Sequence, residues 1–373
     1  MQKEAIPGRQ IIIILILFLF GSSVVMGVST TAEQDAWITL LIGAALFIPV
    51  ALVYARITRL YPEKDIFEIC ETVVGKIAGK IITVLFCLYA IHLTALVIRN
   101  FSEFFQIVAL PQTPQLVMMI AVLLVTIYLA RSGMETMGRW ALVALVFVLF
   151  IVVFTIVFSI DKMDTENILP LMTHDLSEMA TGSFEIFSFP YAETVLFLGM
   201  AGAIRKKDSP YKIYMYAILF GTMILLSIIL RNLFVLGPAM ISSNYFPSYT
   251  TARIVNVADF LSRIEGTISL NLILAGLVKI TVCLMAASKG TARLFGIQDY
   301  RQVVMPVGLI ALALCAIVYQ NTMEMFAFIR FYPYYTLPFQ IILPLVIWLA
   351  AEIKTRSHKK RKSHKKAKKA RLA

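Results

Sequence analysis

The fold is decided by a stretch near the start of the chain, QIIIILILFLFGSSVVMG, which spans residues 10–27. A run of roughly 18 or more apolar residues is long enough to cross the hydrocarbon core of a membrane as one α-helix. Gly21-Ser22-Ser23 interrupts this run past its middle. The stretch therefore predicts a membrane-spanning helix that contains a break.

Apolar stretches of this length recur along the chain. Hydrophobic residues make up 59% of the 373 residues and charged residues 15%, a balance that excludes a soluble domain of this size. We place ten spans at residues 10–29, 37–55, 78–98, 114–130, 140–160, 181–203, 211–236, 264–287, 302–320 and 334–353. The sequence therefore predicts an all-α integral membrane domain of ten transmembrane helices over residues 1–353.

The loops between these spans alternate between basic and acidic or neutral. Lys and Arg are concentrated at the N-terminus and in every second loop, as in Arg205-Lys206-Lys207 between spans six and seven. Because Lys and Arg are enriched on the cytoplasmic side, we expect a multi-pass membrane protein with both termini in the cytoplasm. Cleavage of the first span as a signal peptide would leave nine spans and upset this alternation, so we expect the span to be retained.

The C-terminal segment 354–373 is a low-complexity region and carries most of the net charge of +12. A basic run of this kind can bind nucleic acid. Because the segment directly follows a span, we instead expect a disordered cytoplasmic tail that rests on anionic lipid. No nucleic-acid partner is expected.

A second break is predicted in span six, where Pro190 removes a backbone donor and clashes with the preceding turn. Spans one and six correspond if the ten helices form two inverted halves of five. Paired broken spans then indicate a midplane binding site of the secondary-transporter kind. The candidate ligand-binding residues are Gly21, Ser22, Ser23, Val24, Phe187, Ser188, Phe189, Pro190 and Tyr191. Close helix packing is the alternative, since small residues often serve only that purpose.

Lys279 lies deep inside span eight. A lysine at this depth is unfavourable unless it is paired or reaches water, which makes it a functional candidate. We expect Glu193 in span six to be its counter-charge. Span eight packs beside span one in such a fold, where many transporters bind sodium, and our hypothesis is that the Lys279 ammonium replaces that cation. A salt bridge that serves only assembly is the alternative. His92 and Thr94 in span three are possible pocket-lining residues, with ordinary packing as the alternative.

Enzyme signatures are absent from the sequence. It contains no phosphate-binding loop, zinc-binding pattern or nucleophile elbow. The four cysteines lie far apart, without metal-type spacing, and we interpret them as reduced packing residues. We therefore expect no catalytic residues, metal or cofactor.

Several segments, in this order and spacing, resemble one family. They are Gly8-Arg9-Gln10, Asp35-Ala36-Trp37-Ile38, Leu110-Pro111-Gln112-Thr113-Pro114, Phe187-Ser188-Phe189-Pro190-Tyr191-Ala192-Glu193-Thr194, Pro247-Ser248-Tyr249, Arg263-Ile264-Glu265 and Val278-Lys279-Ile280. The chain up to its tail resembles the spore germination permeases, which are the B-type subunits of nutrient germinant receptors. These belong to the amino acid–polyamine–organocation transporter superfamily. Two segments depart from the family pattern. In the first break the family often has Gly-Thr or Gly-Ser followed by Gly, whereas this chain has Gly21-Ser22-Ser23-Val24-Val25-Met26-Gly27. Gly266 stands where the family often has proline.

This resemblance implies a LeuT-like fold with five-plus-five inverted repeats and broken helices 1 and 6. It implies a sensor in the inner membrane of the spore that binds a small nutrient, often an amino acid. The expected partners are an A-type membrane subunit and a C-type lipoprotein. Two other functions stay open: an active secondary transporter of amino acids or related solutes, and an anchoring component whose working part is the basic tail.

Overall fold

The computed structural model describes residues 4–26, 30–254 and 264–370. Within these ranges the chain is helical, and β structure is limited to an isolated parallel bridge between Ile6 and Ile204. The α-helices are α1 (Gly8–Phe20), α2 (Ser23–Met26), α3 (Ala36–Leu60), α4 (Ile66–Val74), α5 (Lys76–Val108), α6 (Gln115–Ser132), α7 (Met134–Ser159), α8 (Leu176–Ile186), α9 (Pro210–Leu236), α10 (Pro238–Ser243), α11 (Pro247–Ile254), α12 (Glu265–Phe295), α13 (Val304–Ile317), α14 (Thr322–Leu337) and α15 (Leu343–Ala370).

Eight helical segments of the described chain are long and apolar enough to cross a membrane. They are Ala32–Leu60, Lys76–Val108, Gln115–Ser132, Met134–Lys162, Leu176–Ala203, Pro210–Leu236, Glu265–Phe295 and Thr322–Ser357. The helices α1 and α13 are apolar but shorter. The all-α membrane architecture is thus confirmed, while the count of ten spans stays a prediction.

The last span begins earlier than the sequence analysis places it. We expect it to start at residue 334, but α14 begins at Thr322. The Asn321 side chain accepts a hydrogen bond of 2.9 Å from the Glu324 N–H. A polar residue at this position satisfies one of the free N–H groups at a helix start. Hydropathy alone misses this start because Thr322, Glu324 and Arg330 lower the mean hydropathy of the first turns of α14.

Three glycines separate consecutive helices at sharp turns. Gly75, Gly133 and Gly237 have φ angles of 95°, 89° and 70°, and they lie between α4 and α5, α6 and α7, and α9 and α10. A residue with a Cβ atom is strained at such positive φ. These positions let the chain change direction between two helices within a single residue.

Helix α12 and the span that begins with α8 form the centre of the molecule. The most apolar part of Leu176–Ala203 is 89% buried and that of Glu265–Phe295 is 83% buried, against 33% for Gln115–Ser132. Helix α12 packs against α5, α1, α6 and α7. The approach to α5 is close at Gly276, where a Cβ atom would overlap the ring of Phe101. The polar groups of the two central spans therefore lie inside protein rather than in lipid.

Both predicted helix breaks are present. Helix α1 ends at Phe20, and the chain resumes as the short α2 after Gly21. Helix α8 ends at Ile186 and is followed by a π turn, Phe187–Tyr191, and a 3-10 helix, Ala192–Ala203. Within the π turn Phe189 is extended, with φ −125° and ψ 116°. Each break exposes backbone groups, which is tolerated at membrane depth only where protein surrounds them.

A third irregularity was not expected from the sequence. A second π turn, Pro338–Ile342, lies between α14 and α15. Proline cannot donate the hydrogen bond that a continuous α-helix requires, so Pro338 accounts for the change in helix type. The turn lies next to the Phe187–Tyr191 turn in the folded protein, because Gln340 contacts Ser188.

The N-terminal segment and the part of α15 around Glu352 lie on one face of the molecule, which we call the terminal face. Glu4 pairs with Arg301 there at 2.6 Å, and Glu352 pairs with Arg56 at 2.6 Å. Helix α15 continues to Ala370, into the segment from residue 354 that we expect to be disordered. Lys, Arg and Ala are good helix formers, and neither Gly nor Pro occurs after Pro344, so the residue types favour this continuation.

Candidate functional site

Lys279 lies at the point where the two helix breaks meet. Its side chain is fully buried on α12, and its Nζ atom lies 2.5 Å from Glu193 Oε2. The same Nζ donates a hydrogen bond of 3.3 Å to the Ser22 hydroxyl. It also lies 4.6 Å from the ring centroid of Phe189 and 5.3 Å from that of Phe18. A single ammonium group thus contacts residues of both broken spans.

Glu193 completes this group from the 3-10 helix that follows the second break. Its side chain is 1% exposed, and Oε1 accepts a hydrogen bond of 2.6 Å from the Tyr332 hydroxyl. Burial of a single charge is strongly unfavourable, whereas a close ion pair with an added hydrogen bond is tolerated. The pair is electrically neutral as a unit, so it holds α12 against the second broken span without leaving net charge at membrane depth.

Gly21 makes this arrangement sterically possible. A Cβ atom at this position would lie 2.7 Å from Lys279 Cδ and 3.2 Å from the Phe18 carbonyl oxygen. Contacts under 3.0 Å force a neighbouring group to move. The break in the first span therefore also provides the space through which the Lys279 side chain passes.

A hydrogen-bonded network extends from the ion pair across the two π turns. The Tyr332 and Tyr89 hydroxyls lie 3.2 Å apart, and Gln340 Nε2 donates to the Tyr89 hydroxyl at 3.0 Å. Gln340 Nε2 also donates to the Ser188 carbonyl at 3.1 Å, while the Ser188 hydroxyl donates to Gln340 Oε1 at 3.0 Å. The Ser188 hydroxyl further contacts that of Thr336 at 2.7 Å. The network connects α5, α14 and the two π turns, and it satisfies polar groups that the turns expose.

A small cavity adjoins the ion pair. Its lining is mainly apolar and aromatic, with a few polar groups, and consists of Ser22, Leu93, Leu96, Val97, Asn100, Phe189, Glu193, Tyr319, Phe328, Ile329 and Tyr332. The cavity volume is about 30 Å³, and a cavity needs at least about 10–15 Å³ to hold a single water molecule. A ligand the size of an amino acid therefore requires the surrounding side chains or helices to move apart.

Three of the predicted ligand-binding residues contact the ion pair or line this cavity: Gly21, Ser22 and Phe189. Other predicted residues lie nearby with different partners. The Ser23 hydroxyl donates to the Leu19 carbonyl at 2.8 Å, and Val24 is buried in the core. Ser188 and Pro190 are buried in the second break.

Tyr191 and Phe187 point into a separate aromatic group. The Tyr191 hydroxyl contacts that of Thr222 at 2.6 Å, and its ring stacks on Phe47. Phe187 contacts Phe47 edge-on and stacks on Phe184. These contacts brace the second break against α3 and α9.

The two candidates in the third predicted span lie beside the cavity rather than in its lining. The Thr94 hydroxyl donates to the Ala90 carbonyl of its own helix at 2.7 Å. The His92 ring packs edge-on against Phe328 and Tyr335. Leu93, Leu96, Val97 and Asn100 of α5 line the cavity instead.

Sequence reasoning missed Tyr332, Gln340 and Asn100. The predicted last span starts at residue 334, so Tyr332 falls in a loop of that prediction. Gln340 is an isolated polar residue within an apolar span, which is itself a signal of a buried functional or structural contact. Asn100 lies on the cavity wall, and its buried side-chain oxygen has no hydrogen-bond partner in the described part of the chain. Only the folded structure reveals this.

The described residues include no cluster of three or more His, Cys, Asp or Glu side chains arranged to hold a metal ion. Cys70, Cys87, Cys283 and Cys315 are buried free thiols. The polar chemistry of the site is therefore supplied by one ion pair, hydroxyls and amides.

Sequence comparison gives a family match over most of the chain. The model of a family described as "Spore germination protein" matches residues 5–325. The chain is 27% identical over 361 residues to the protein named "Spore germination protein KB" from Bacillus subtilis (strain 168), which covers 95% of this chain and 97% of that protein.

Structure comparison gives solved transporters with the same overall fold, among them MhsT and Mhp1. The crystal structure of MhsT in complex with L-phenylalanine matches with a TM-score of 0.66 and 12% identity, and covers 94% of this chain and 89% of that chain. Mhp1, a nucleobase-cation-symport-1 family transporter in a closed conformation with bromovinylhydantoin bound, matches with a TM-score of 0.68 and 9% identity, and covers 93% of this chain and 78% of that chain. The fold is thus that of LeuT-type transporters, and neither the family nor the fold is an enzyme class.

Proposed function

Because this chain belongs to the spore germination protein family, we propose that it is the nutrient-sensing subunit of a spore germinant receptor, built on a transporter fold. The ligand binds at the membrane midplane, where the broken spans meet. It is a small nutrient of the amino-acid class. Its binding changes the conformation of the membrane domain, and this change is the signal.

The observation that carries this proposal is the Lys279–Glu193 pair between the two helix breaks. The pair lies beside a cavity with apolar walls and a few polar groups, the usual composition of a small-molecule site. Because Lys279 neutralises Glu193, the site favours a ligand without net charge, such as a zwitterionic amino acid. The half-helix ends at the breaks offer free N–H and carbonyl groups for its carboxylate and ammonium.

In this proposal the Lys279 ammonium replaces a bound cation. Its ammonium contacts Ser22 of the first break and Glu193 beyond the second, so it holds the two spans at one distance without a bound sodium ion. A ligand that prefers one spacing of the breaks shifts the population of the protein toward the conformation with that spacing. The size of this shift is limited by the difference in the ligand's affinity for the two conformations.

The signal passes to an A-type membrane subunit and a C-type lipoprotein in the inner membrane of the spore. Both chain termini face the cytoplasm, as the basic loops indicate. The basic residues after position 354 lie against anionic lipid.

The test is germination of the host's spores after deletion of this gene. Germination is measured as the loss of optical density after each nutrient of a panel of amino acids, sugars and nucleosides is added. We expect the response to one nutrient class to be lost and to return with the wild-type gene. Return of the response with a Lys279→Met gene as well would contradict the proposed role of the pair. An unchanged response of the deletion strain to every nutrient would contradict the sensor function.

Active secondary transport is the second candidate, since the solved structures that share the fold are of transporters. Uptake of a radiolabelled nutrient by proteoliposomes that contain the purified chain alone separates the two. Accumulation against a gradient favours transport, whereas binding without accumulation favours the sensor.

A further inference from the structure

Arg231 is a buried cation that the candidate site does not use. It lies on α9 and is 2% exposed. Its Nε and Nη2 atoms donate to Asn232 Oδ1 at 3.1 Å and 2.7 Å, and Nη1 donates to the Thr155 hydroxyl at 2.7 Å. A guanidinium carries five N–H groups. Two of them, one on each Nη atom, have no partner in these contacts.

All described partners of this guanidinium are electrically neutral. No Asp or Glu in the described part of the chain forms an ion pair with Arg231. Arg99 offers a direct comparison, because it is also buried but pairs with Glu103 at 2.8 Å. Arginine remains protonated in proteins, so the charge at position 231 is held in the core without a described counter-charge. Such a charge is strongly unfavourable unless an anion accompanies it.

Helix α11 brings hydroxyl groups and its positive end to the same place. Asn232 Nδ2 donates to the Ser248 hydroxyl at 3.0 Å, and Ser248 is the second residue of α11. The N-terminus of a helix carries partial positive charge, so α11 adds to the positive potential instead of offsetting it. Thr251 lies one turn further on the same face and is fully buried, and its hydroxyl has no hydrogen-bond partner among the residues that the structure describes.

We propose that Arg231, Ser248 and Thr251 form a binding site for a small monovalent anion, a halide or a carboxylate group. The two free N–H groups of Arg231 and the hydroxyls are hydrogen-bond donors, which is the chemistry that such an anion requires. The site lies between α7, α9 and α11, toward the face opposite the terminal face. It is separate from the Lys279–Glu193 pair and does not depend on the proposed germination function.

Anion occupancy would stabilise the contact between α11 and the first broken span. Helix α11 packs against α2, α9 and α12. An anion bound between Arg231 and the buried face of α11 holds this helix on α9, and with it the α2 half of the broken span. We therefore expect the stability of the folded chain to depend on the anion present.

The test is the Tm of the purified full-length chain in detergent, at constant ionic strength, as sodium methanesulfonate is replaced by sodium chloride or sodium acetate. We expect a saturable rise of about 2–4 °C. A rise with chloride alone identifies a halide site, and a rise with acetate as well identifies a carboxylate site. Equal Tm values in the three salts, together with no saturable binding of radioactive chloride or acetate, would overturn the proposal.

Three variants assign the effect to this site. Arg231→Gln is expected to lose the anion-dependent rise. Thr251→Val, which preserves shape and charge, is expected to raise the half-saturating anion concentration about fivefold, the effect of one hydrogen bond. Arg99→Gln is the matched control, since this arginine has a carboxylate partner within the chain, and its anion-dependent rise should equal that of the wild type. A full rise in Arg231→Gln would overturn the proposal. If Arg231→Gln does not fold, a half-saturating anion concentration in Thr251→Val equal to that of the wild type would overturn the proposal.

Discussion

At the scale of single residues, the site depends on the fit between one long cationic side chain and one missing side chain. Lys279 reaches Glu193 and Ser22 only because Gly21 leaves space for its methylene groups. The aliphatic part packs at the break and the ammonium lies near the Phe18 and Phe189 rings, an arrangement that also favours a cation electrostatically. Charge and shape at this position are therefore coupled.

Lys279→Met should abolish the germination response and lower stability. Removing one member of a buried ion pair costs about 3–5 kcal/mol because the remaining charge is left without a partner. The double variant Lys279→Met/Glu193→Gln should recover most of the Tm, since neither charge remains, but not the response. Tm of the purified variants and spore germination measure the two effects.

Lys289→Met is the matched control for this prediction. Lys289 lies ten residues further along α12 and contacts the Tyr300 ring at 5.3 Å, and it interacts with the Asp65 and Glu4 carboxylates at a longer range than that of an ion pair. The germination response of Lys289→Met should remain near that of the wild type. A response that survives in the double variant would mean that the Lys279–Glu193 pair serves assembly alone.

Gly21→Ala should weaken the response without changing any charge. The added Cβ lies 2.7 Å from Lys279 Cδ, and such overpacking costs about 1–3 kcal/mol. Gly266→Ala is the control, because a Cβ there meets no atom within 4 Å. Tm and germination of the two variants give the comparison, and equal behaviour would refute the steric role of Gly21.

At the scale of the elements, two π turns are joined to each other. The turns Phe187–Tyr191 and Pro338–Ile342 exchange hydrogen bonds through Ser188 and Gln340. Tyr54 of α3 also donates to the Gln340 carbonyl. Each turn satisfies polar groups that the other leaves free, so a shift of one requires a shift of the other or a loss of these bonds. Movement at the ligand site is thereby coupled to the last span.

Gln340→Leu should uncouple the two turns. The substitution keeps a similar volume but leaves the Ser188 carbonyl and the Tyr89 hydroxyl without their donor, at about 1–3 kcal/mol for each group that stays unsatisfied. We expect a lower Tm and a germination response that requires more nutrient. Gln298→Leu, at an exposed position, is the control. A normal nutrient dose–response curve in Gln340→Leu would exclude the coupling.

At the scale of the whole molecule, the N-terminal segment closes the terminal face. Glu4 accepts hydrogen bonds from Arg301 Nη2 at 2.6 Å and from the Met134 N–H at 3.2 Å. The Gly8 N–H donates to Asp208 at 2.9 Å, and the Ile6 N–H donates to the Ala203 carbonyl at 3.0 Å. Residues 4–8 thus connect the ends of four spans, namely α7, the Leu176–Ala203 span, α9 and α13, and opening on this side requires their release.

Glu4→Arg should make the terminal face open more often, and Glu4→Arg/Arg301→Glu should reverse the effect by restoring the opposite charges. The pair is partly exposed, so it contributes about 0.2–1 kcal/mol, which is at most about a fivefold change in the open population. The rate at which a maleimide labels Cys70 measures opening, because this buried thiol lies on α4, where the Thr72 carbonyl contacts Lys354 near the terminal face. Equal rates in the wild type and Glu4→Arg would show that the segment does not restrain this face.

The sequence by itself determined the membrane class, the helical fold and both helix breaks. Apolar length, loop charge and the Gly21-Ser22-Ser23 and Ser188-Phe189-Pro190-Tyr191 segments are local features, and a membrane tolerates few alternatives for a chain with these properties. The Lys279–Glu193 pairing was also predictable, because a lysine at membrane depth requires a counter-charge.

Only the tertiary structure decided which residues surround this pair. Tyr332, Gln340 and Asn100 reach the site from α14, the Pro338–Ile342 turn and α5, and contacts between distant segments leave no periodic signal in the sequence. The start of α14 depends on the Asn321 cap, and the placement of His92 and Thr94 depends on the rotation of α5 about its axis. Hydropathy locates a span within a few residues, but a shift of one residue turns a helix face by about 100°, so side-chain orientation is fixed only when the helices pack.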